Sequence, residues 1–505
     1  MRSPLSRREV HAAWVIAALA VLLRFYFSWI CYLNPDEALH LRAAVSGQWF
    51  SHFHPPLIMA WLWAASLISE HPAWLRLPMT LAGGLTPLLL ALWLRRFVSP
   101  AVAWGLATLV AVSPNLVMLS FQIRGYSLSI LFSIAAMWTI EEAFQTRSRR
   151  MLALHWLCLA ASVLAEFAAV WTLLAAGLYG LFRLGREPDA RSRLLASWIA
   201  AQMAALGICT WLWVFVLSPN PSGNPVTRLS QHYLAGGFPQ SGESLVRFSS
   251  SGLLKQFAYA ASSAEGGAIA LALFAIGLAV FWRRGCGRWA YSVSPHLAAL
   301  GAIAGLAPYG RSRHSVTVGV LSLAAVAMGI EWLGGRRHAL RWLTFAALAF
   351  CAAVFPGPDQ QNIELWRWHR IEMEQALNTA IDSVPPDALI LTDSDTYLLM
   401  AASLMTREEQ QALEHGSSGR PERAMVRGRR VQRLAGDWSQ IGRRDPEKFE
   451  EALRAETQPV WLIDTGFAIG ALDEPHQWPG SAAITMVKRF GMVLHLAKAS
   501  RAATQ

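Results

Sequence analysis

Leu33-Asn34-Pro35-Asp36-Glu37-Ala38-Leu39-His40 follows the first long apolar run of this 505-residue chain. The stretch sets two adjacent carboxylates where a membrane-spanning helix should meet water. Asn34 is a good helix N-cap, Pro35 suits the first helical position, and Glu37 completes the spacing of a capping box. A helix therefore starts here, and its positive end favours acidic side chains for stability alone. Capping is the simplest use of Glu37. Asp36 gains a chemical role only from the company it keeps at the same lip.

The surrounding composition decides the fold class. Hydrophobic residues make up 54% and charged residues only 15% of the chain, where soluble chains carry about 25% charged. Several apolar runs approach the ~20 residues that a spanning helix needs. The runs are continuous rather than alternating, which favours a helical bundle over a barrel. The net charge of +11 sits in short arginine clusters between apolar runs. That is the positive-inside pattern and not a nucleic-acid surface. The five cysteines show neither metal spacing nor a disulfide framework. The N-terminal segment continues to Cys31 without a small-residue cleavage site, so it is read as a retained span rather than a signal peptide.

With Arg2, Arg7 and Arg8 inside, the later arginine clusters give spans at about 11–31, 75–94, 101–118, 125–143, 151–167, 168–183, 194–217, 264–282, 291–309, 315–333 and 340–355. Eleven spans place the C-terminus outside. The run 57–69 is too short to cross a ~30 Å core and is expected to be a re-entrant or juxtamembrane helix on the outer face. A Ser-, Gly- and Pro-rich segment, 218–262, reads as a long outer loop. Composition changes near Pro356. Residues 1–355 form an all-α polytopic membrane bundle, and 356–505 read as a small extracytoplasmic α/β domain. The latter has one helical pattern, 364–381, and strand-like runs at 388–392, 459–464 and 492–496.

Other candidate groups share the outer lip. Phe53-His54-Pro55-Pro56-Leu57 opens the short helix, with two prolines fixing His54 at its start. Arg124, in Arg124-Gly125-Tyr126-Ser127, begins the fourth span on the side where positive charge is unusual, so it needs a partner. A guanidinium suits a phosphate. Arg311, Arg313 and His314 form a second basic group between the ninth and tenth spans. Each has a plainer reading, as a snorkelling or head-group-contacting residue. Arg24, inside span one, is expected to face the bundle or snorkel; it is read as a brace for the site, with no chemistry assigned to it.

The Asp-Glu pair after span one, the Pro-Pro-Leu segment some twenty residues on, and the Arg-x-Tyr-Ser-Leu start of a later outer span together resemble the GT-C glycosyltransferases. The resemblance is to the protein mannosyltransferase and aminoarabinose transferase group and covers about residues 10–330. Aminoarabinose transferases carry Lys-Pro-Pro where this chain has His54-Pro55-Pro56. The resemblance implies a helical bundle with an outer cavity, in a bacterial cytoplasmic membrane. It implies a polyprenyl-phosphate sugar donor, a lipid, glycan or protein acceptor, and Asp36 as base beside Glu37. Donor phosphate would be bound by His54, Arg124, Tyr126, Arg311, Arg313 and His314. No cofactor is expected, and two carboxylates are too few to specify a metal cage. A transporter or flippase is the rival class, but transporters gather ionisable groups near the midplane of paired halves. Here they gather on one face. A membrane-anchored sensor would leave that cluster unexplained.

Overall fold

The computed structural model describes residues 5–47, 55–217, 235–306, 308–310, 312–355, 370–392, 394–406, 423–434, 446–456, 460–464, 483–490 and 494–500. The helices begin with α1 (Arg7–Ile30), α2 (Pro35–Val45), α3 (Pro56–Ser66), α4 (Pro72–Leu75) and α5 (Leu77–Leu94). Next come α6 (Pro100–Val112), α7 (Pro114–Ser120), α8 (Tyr126–Thr146), α9 (Arg149–Ala165), α10 (Val170–Arg186) and α11 (Pro188–Leu212). Then follow α12 (Leu245–Ala261), α13 (Ala264–Arg283), α14 (Arg288–Val293), α15 (Ala298–Ile303), α16 (Val316–Arg336) and α17 (His338–Val354). The C-terminal region holds α18 (Arg370–Asp382), α19 (Ser394–Leu404) and α20 (Pro446–Ala455). Its strands are β1 (Leu389–Thr392), β2 (Arg423–Val426), β3 (Arg429–Arg433), β4 (Val460–Asp464), β5 (Ala483–Phe490) and β6 (Leu494–Ser500). Packing divides the chain into two compact units. Met1–Trp29, Phe53–Ile58 and Ala73–Leu365 form the first, and Ile30–His52, Met59–Pro72 and Trp366–Gln505 the second.

The first unit is a helical bundle, and each expected span coincides with a helix or a broken pair of helices. Six helices are long and apolar enough to cross a membrane, or seven if α6 and α7 count as one bent span. The chain is a multi-pass membrane protein. The span expected at 291–309 is interrupted by a 3-10 turn, Ser294–Leu297, between α14 and α15. Pro295 explains the break, since it cannot donate to the helix ladder. The segment 218–262 is not loop throughout. Its described end contains α12, which buries Phe248, Gly252, Gln256 and Tyr259 on one face. The helical period, rather than the Ser-rich composition, decides that stretch. The short helix α3 has 11 residues. At 1.5 Å per residue this is roughly half of a bilayer core.

Two buried polar groups fasten the bundle. The 64° bend between α6 and α7 falls at Ser113-Pro114. Pro114 has no N–H for the carbonyl of Val110, and an unsatisfied carbonyl in an apolar interior costs free energy. Arg24 of α1 supplies the missing donors. Its Nη1 donates to the carbonyls of Ala111 (2.8 Å) and Ala20 (3.1 Å), its Nη2 to that of Val110 (3.5 Å), and its Nε to Ser120 Oγ (3.1 Å). Gly83 leaves room for this, because a Cβ there would lie 2.0 Å from Ser120 Oγ. At the arginine-rich end, Glu141 of α8 is fully buried. Arg288 Nη2 and Nε donate to its two oxygens (2.7 and 3.1 Å), joined by the Tyr291 hydroxyl (2.9 Å) and the Trp93 indole (3.4 Å). One carboxylate thereby ties α5, α8 and α14.

The second unit is built on a six-stranded sheet of order β2-β3-β1-β4-β6-β5. Strands β3, β1 and β4 run parallel, and β2, β6 and β5 are added antiparallel. The three expected strand runs appear as β1, β4 and β6. The sequence reading did not mark β2, β3 and β5; arginines hide the alternation of β2 and β3. Their turn is Arg427-Gly428, both at positive φ (49° and 75°), as a tight hairpin requires. Residues of α18 and α19 cover one face of the sheet, and Phe449, Ala452 and Leu453 of α20 cover the other. The first-loop helix α2 belongs to this unit: Ala38 and Leu39 pack on Leu398 of α19.

Replacing Arg24 with leucine would keep the apolar contacts and strip the bend of its donors. Hydrogen bonds to charged groups are worth about 1.5–3 kcal/mol. Arg24→Leu should therefore lower the unfolding free energy of detergent-solubilised protein by at least ~2 kcal/mol. Arg24→Lys should recover only part, since one ammonium cannot reach the same spread of acceptors. Equal thermal unfolding of native and Arg24→Leu protein would remove this account of the bend.

Candidate functional site

The end of the bundle opposite the arginine clusters gathers polar groups from three chain segments of the first unit. The link Phe121–Gly125 leads into α8. Gly125 is forced by space, because a Cβ there would lie 1.6 Å from the carbonyl oxygen of Ala165. The start of α8 is thus pressed against the end of α9, where Glu166 stands. Glu166 leaves the helix in an extended conformation (φ −157°, ψ 127°) and opens the 3-10 turn Phe167–Ala169. The third segment is the 3-10 turn Ser312–Ser315 ahead of α16, which carries Arg313 and His314.

These groups act on one another. The buried Tyr126 places its hydroxyl 3.3 Å from His314 Nδ1, with the rings edge to face at 6.0 Å. Glu166 feels the positive fields of both Arg124 and Arg313. Burial raises its carboxyl to about 7, while Arg124, the backbone amides of Phe167 and Ala168, and Arg313 oppose that rise. One turn further in, a ladder of hydroxyls holds the helices in register. Ser129 Oγ meets Thr317 Oγ1 (3.3 Å) and Ser162 Oγ (3.3 Å), and Ser133 Oγ meets Ser162 Oγ (2.8 Å) and Thr172 Oγ1 (2.9 Å). Residues of α8, α9, α10 and α16 are linked in this way. The result is two guanidinium groups acting on one carboxylate that ionises near neutrality, with the Tyr126–His314 pair at the same end. Such a group can take an anion by releasing the carboxylate's hold on the arginines.

The second unit holds the other sequence-predicted residues. Asn34 Oδ1 accepts from the Glu37 N–H (3.0 Å), and Glu37 Oε2 accepts from the Asn34 N–H (2.9 Å). The capping box is complete, and Glu37 is buried by it. Asp36 is half-exposed, and the His40 ring nitrogen Nδ1 bonds the Asp36 carbonyl. The structure thus brings together Arg124, Tyr126, Arg313 and His314 within the first unit, and Asp36 with Glu37 within the second. His54 and Arg311 lie outside the described residues. Sequence reading missed Glu166 and His40. Glu166 left a signal, being a lone acid between two apolar runs, a place where ionisable residues are costly. Among the described residues, no group of three or more His, Cys, Asp or Glu side chains is placed to hold a metal ion.

Comparison with solved structures identifies the fold. The structure of ArnT from Cupriavidus metallidurans in the apo state is similar with a TM-score of 0.56 at 12% identity, covering 97% of this chain and 98% of that one. ArnT from the same organism bound to undecaprenyl phosphate gives 0.53 at 11% identity, with 96% and 97% covered. The oligosaccharyltransferase of Archaeoglobus fulgidus in the apo form gives 0.50 at 11% identity, with 92% and 70% covered. The chain has the GT-C membrane fold, with a small α/β domain. No family model matches the sequence, and no curated protein matches it significantly.

Glu166 makes anion binding at this end pH-dependent. Below pH about 7 its carboxyl is neutral and leaves both arginines to an added anion; above it the carboxylate competes. Affinity for sulfate, whose charge is constant in this range, should fall by up to about ten-fold per pH unit above 7. The measure is the part of the dependence that Glu166→Gln removes. Calorimetry showing the same pH profile for native and Glu166→Gln protein would deny Glu166 this role.

Proposed function

We propose that this protein is a membrane glycosyltransferase. It moves a sugar from a polyprenyl-phosphate donor to an acceptor hydroxyl on the extracytoplasmic side of a bacterial cytoplasmic membrane. The observation that carries this reading is the action of Arg124 and Arg313 on Glu166, with the Tyr126–His314 pair, at the non-arginine end of a bundle with the GT-C fold. A lipid phosphate is the anion that such an end of a membrane bundle would meet. ArnT, which shares the fold, has been crystallised with undecaprenyl phosphate. The positive-inside bias puts the arginine clusters in the cytoplasm and this end outside.

In the proposed reaction Arg124 and Arg313 bind the donor phosphate and stabilise its charge as it leaves. Tyr126 fixes the orientation of His314, a further donor to the same oxygens. His54 and Arg311 are assigned to the phosphate on sequence grounds. Asp36 accepts the proton of the acceptor hydroxyl while that oxygen bonds the anomeric carbon. The bond from the carbon to the phosphate oxygen breaks, and polyprenyl phosphate departs with its electrons. One displacement inverts the anomeric centre. The leaving phosphate needs no proton, so the second carboxylate of a glycosidase is unnecessary. Glu37 supports Asp36 by holding the start of α2. No metal is assigned. The C-terminal domain, taken as 356–505, is assigned to the extracytoplasmic side.

The test compares cells carrying the native chain with cells carrying Asp36→Asn at equal abundance, reading surface glycans and polyprenyl-phosphate sugars by mass spectrometry. Loss of a positioned base should lower transfer by about 10²–10⁴-fold. One sugar should disappear from a glycan while its lipid-linked form persists or accumulates. Arg124→Gln should give the same phenotype through weaker donor binding, restored in part by Arg124→Lys. Unchanged profiles in Asp36→Asn cells, with altered profiles on deletion of the chain, would leave Asp36 a helix-end residue only.

A further inference from the structure

The helix that carries Asp36 is built into the C-terminal unit. Ala38 and Leu39 of α2 are buried on Leu398 of α19. Tyr32, just ahead of α2, is buried in the same cluster as Met373 and Leu377 of α18, Met400 of α19 and Val431 of β3. The polar side of the contact is as specific. Arg42 of α2 is 4% exposed and Arg433, the last residue of β3, is 1% exposed. Both act electrostatically on the buried hydroxyl of Tyr397, in the first turn of α19.

The topology of the sheet adds meaning to that place. Strand β1 lies between β3 and β4, parallel to both. Helix α19 leaves β1 on one face, and α20 precedes β4 on the other. Chain direction therefore diverges beside β1, and the crevice outside the carboxyl ends of such strands is where open α/β sheets hold ligands. Arg433 and Tyr397 mark that edge. Arg42 of α2 acts on Tyr397 there, so this edge is engaged by a helix of the protein's own first loop.

We infer that the C-terminal α/β domain is a positioning element for α2. It fixes the helix, and Asp36 with it, through the Leu398 seat and the Arg42–Tyr397–Arg433 group. The inference rests on the reading of Asp36 as base only for its catalytic consequence; the mechanical part stands alone. A domain that merely covered the site or bound the acceptor would not need α2 in its core. Leu398 and Tyr397 are positioning residues, since they act through α2 and not on substrate.

The test is a size exchange. Leu398→Ala empties the seat under Ala38, Leu398→Val loosens it with little risk to folding, and Ala38→Leu combined with Leu398→Ala refills it. Hydrogen exchange of the α2 amides in the purified full chain should quicken in both single variants and recover in the exchanged pair. Sugar transfer in cells should fall by about 10–100-fold in Leu398→Ala, as a misplaced reacting group requires, less in Leu398→Val, and recover in the pair. Binding of undecaprenyl phosphate, measured by native mass spectrometry, should stay within about two-fold throughout, because only the base is displaced. Should Leu398→Ala fail to accumulate, Leu398→Val decides by the same readings. Unchanged exchange in α2, or lost transfer that the pair does not recover, would overturn the inference. Normal transfer by Asp36→Asn, with α2 exchange responding as expected, would instead condemn the base assignment and leave the positioning intact.

Discussion

Arg24 bonding the carbonyls of Val110 and Ala111 is the interaction on which the far end of the bundle depends. A helix bent at proline inside a membrane leaves carbonyls that neither lipid nor water can satisfy. Only a charged, multidentate donor from a neighbouring helix can meet two of them and a hydroxyl at once. The bend sends α7 off at 64° and so sets where the link Phe121–Gly125 begins. Gly125 then closes on Ala165, which brings Arg124 beside Glu166. A structural arginine in the membrane thus governs the placement of a second arginine at its surface.

Glu141 and Glu166 show how environment divides structure from chemistry. Glu141 receives two bonds from Arg288 and one each from Tyr291 and Trp93, so its desolvation is offset by a full set of donors. Such a group fastens helices and has nothing left to offer. Glu166 is held by the backbone amides of Phe167 and Ala168 and by the fields of Arg124 and Arg313, and burial leaves its carboxyl at about 7. It can exchange its proton as an anion arrives and departs. The same side chain serves as a clamp at one end and as a responsive counter-charge at the other.

Much of the fold was legible because membrane physics writes it in plain terms. Arginine clusters between apolar runs marked the spans, since burying or translocating them is costly. The capping box at Asn34 and Glu37 was readable because its chemistry is local. Long-range placement was not. Glu166 falls where one apolar run passes into the next, and no local rule says that Gly125 and Arg313 come to meet it. Helix α12 was hidden by its serines, and β2 and β3 by their arginines. The seat of α2 on α19 is tertiary packing between segments about 350 positions apart in sequence.

The division of labour between Asp36 and Glu37 bears on the proposed chemistry. Glu37 is consumed by the capping box, whereas Asp36 sits half-exposed at the positive end of the same helix. The positive end of a helix is a favourable place for an acidic side chain. A carboxylate, an ordinarily weak base, suits a displacement in which bonding to the leaving phosphate is largely lost before the acceptor oxygen gives up its proton. The oxygen becomes acidic only as it bonds to a carbon of oxocarbenium character, as in glycoside chemistry generally. The burden of lowering the barrier then falls on the groups that hold the departing phosphate. Arg124 and Arg313 should accordingly matter for rate as well as for affinity, beside the rate that Asp36 contributes by taking the proton.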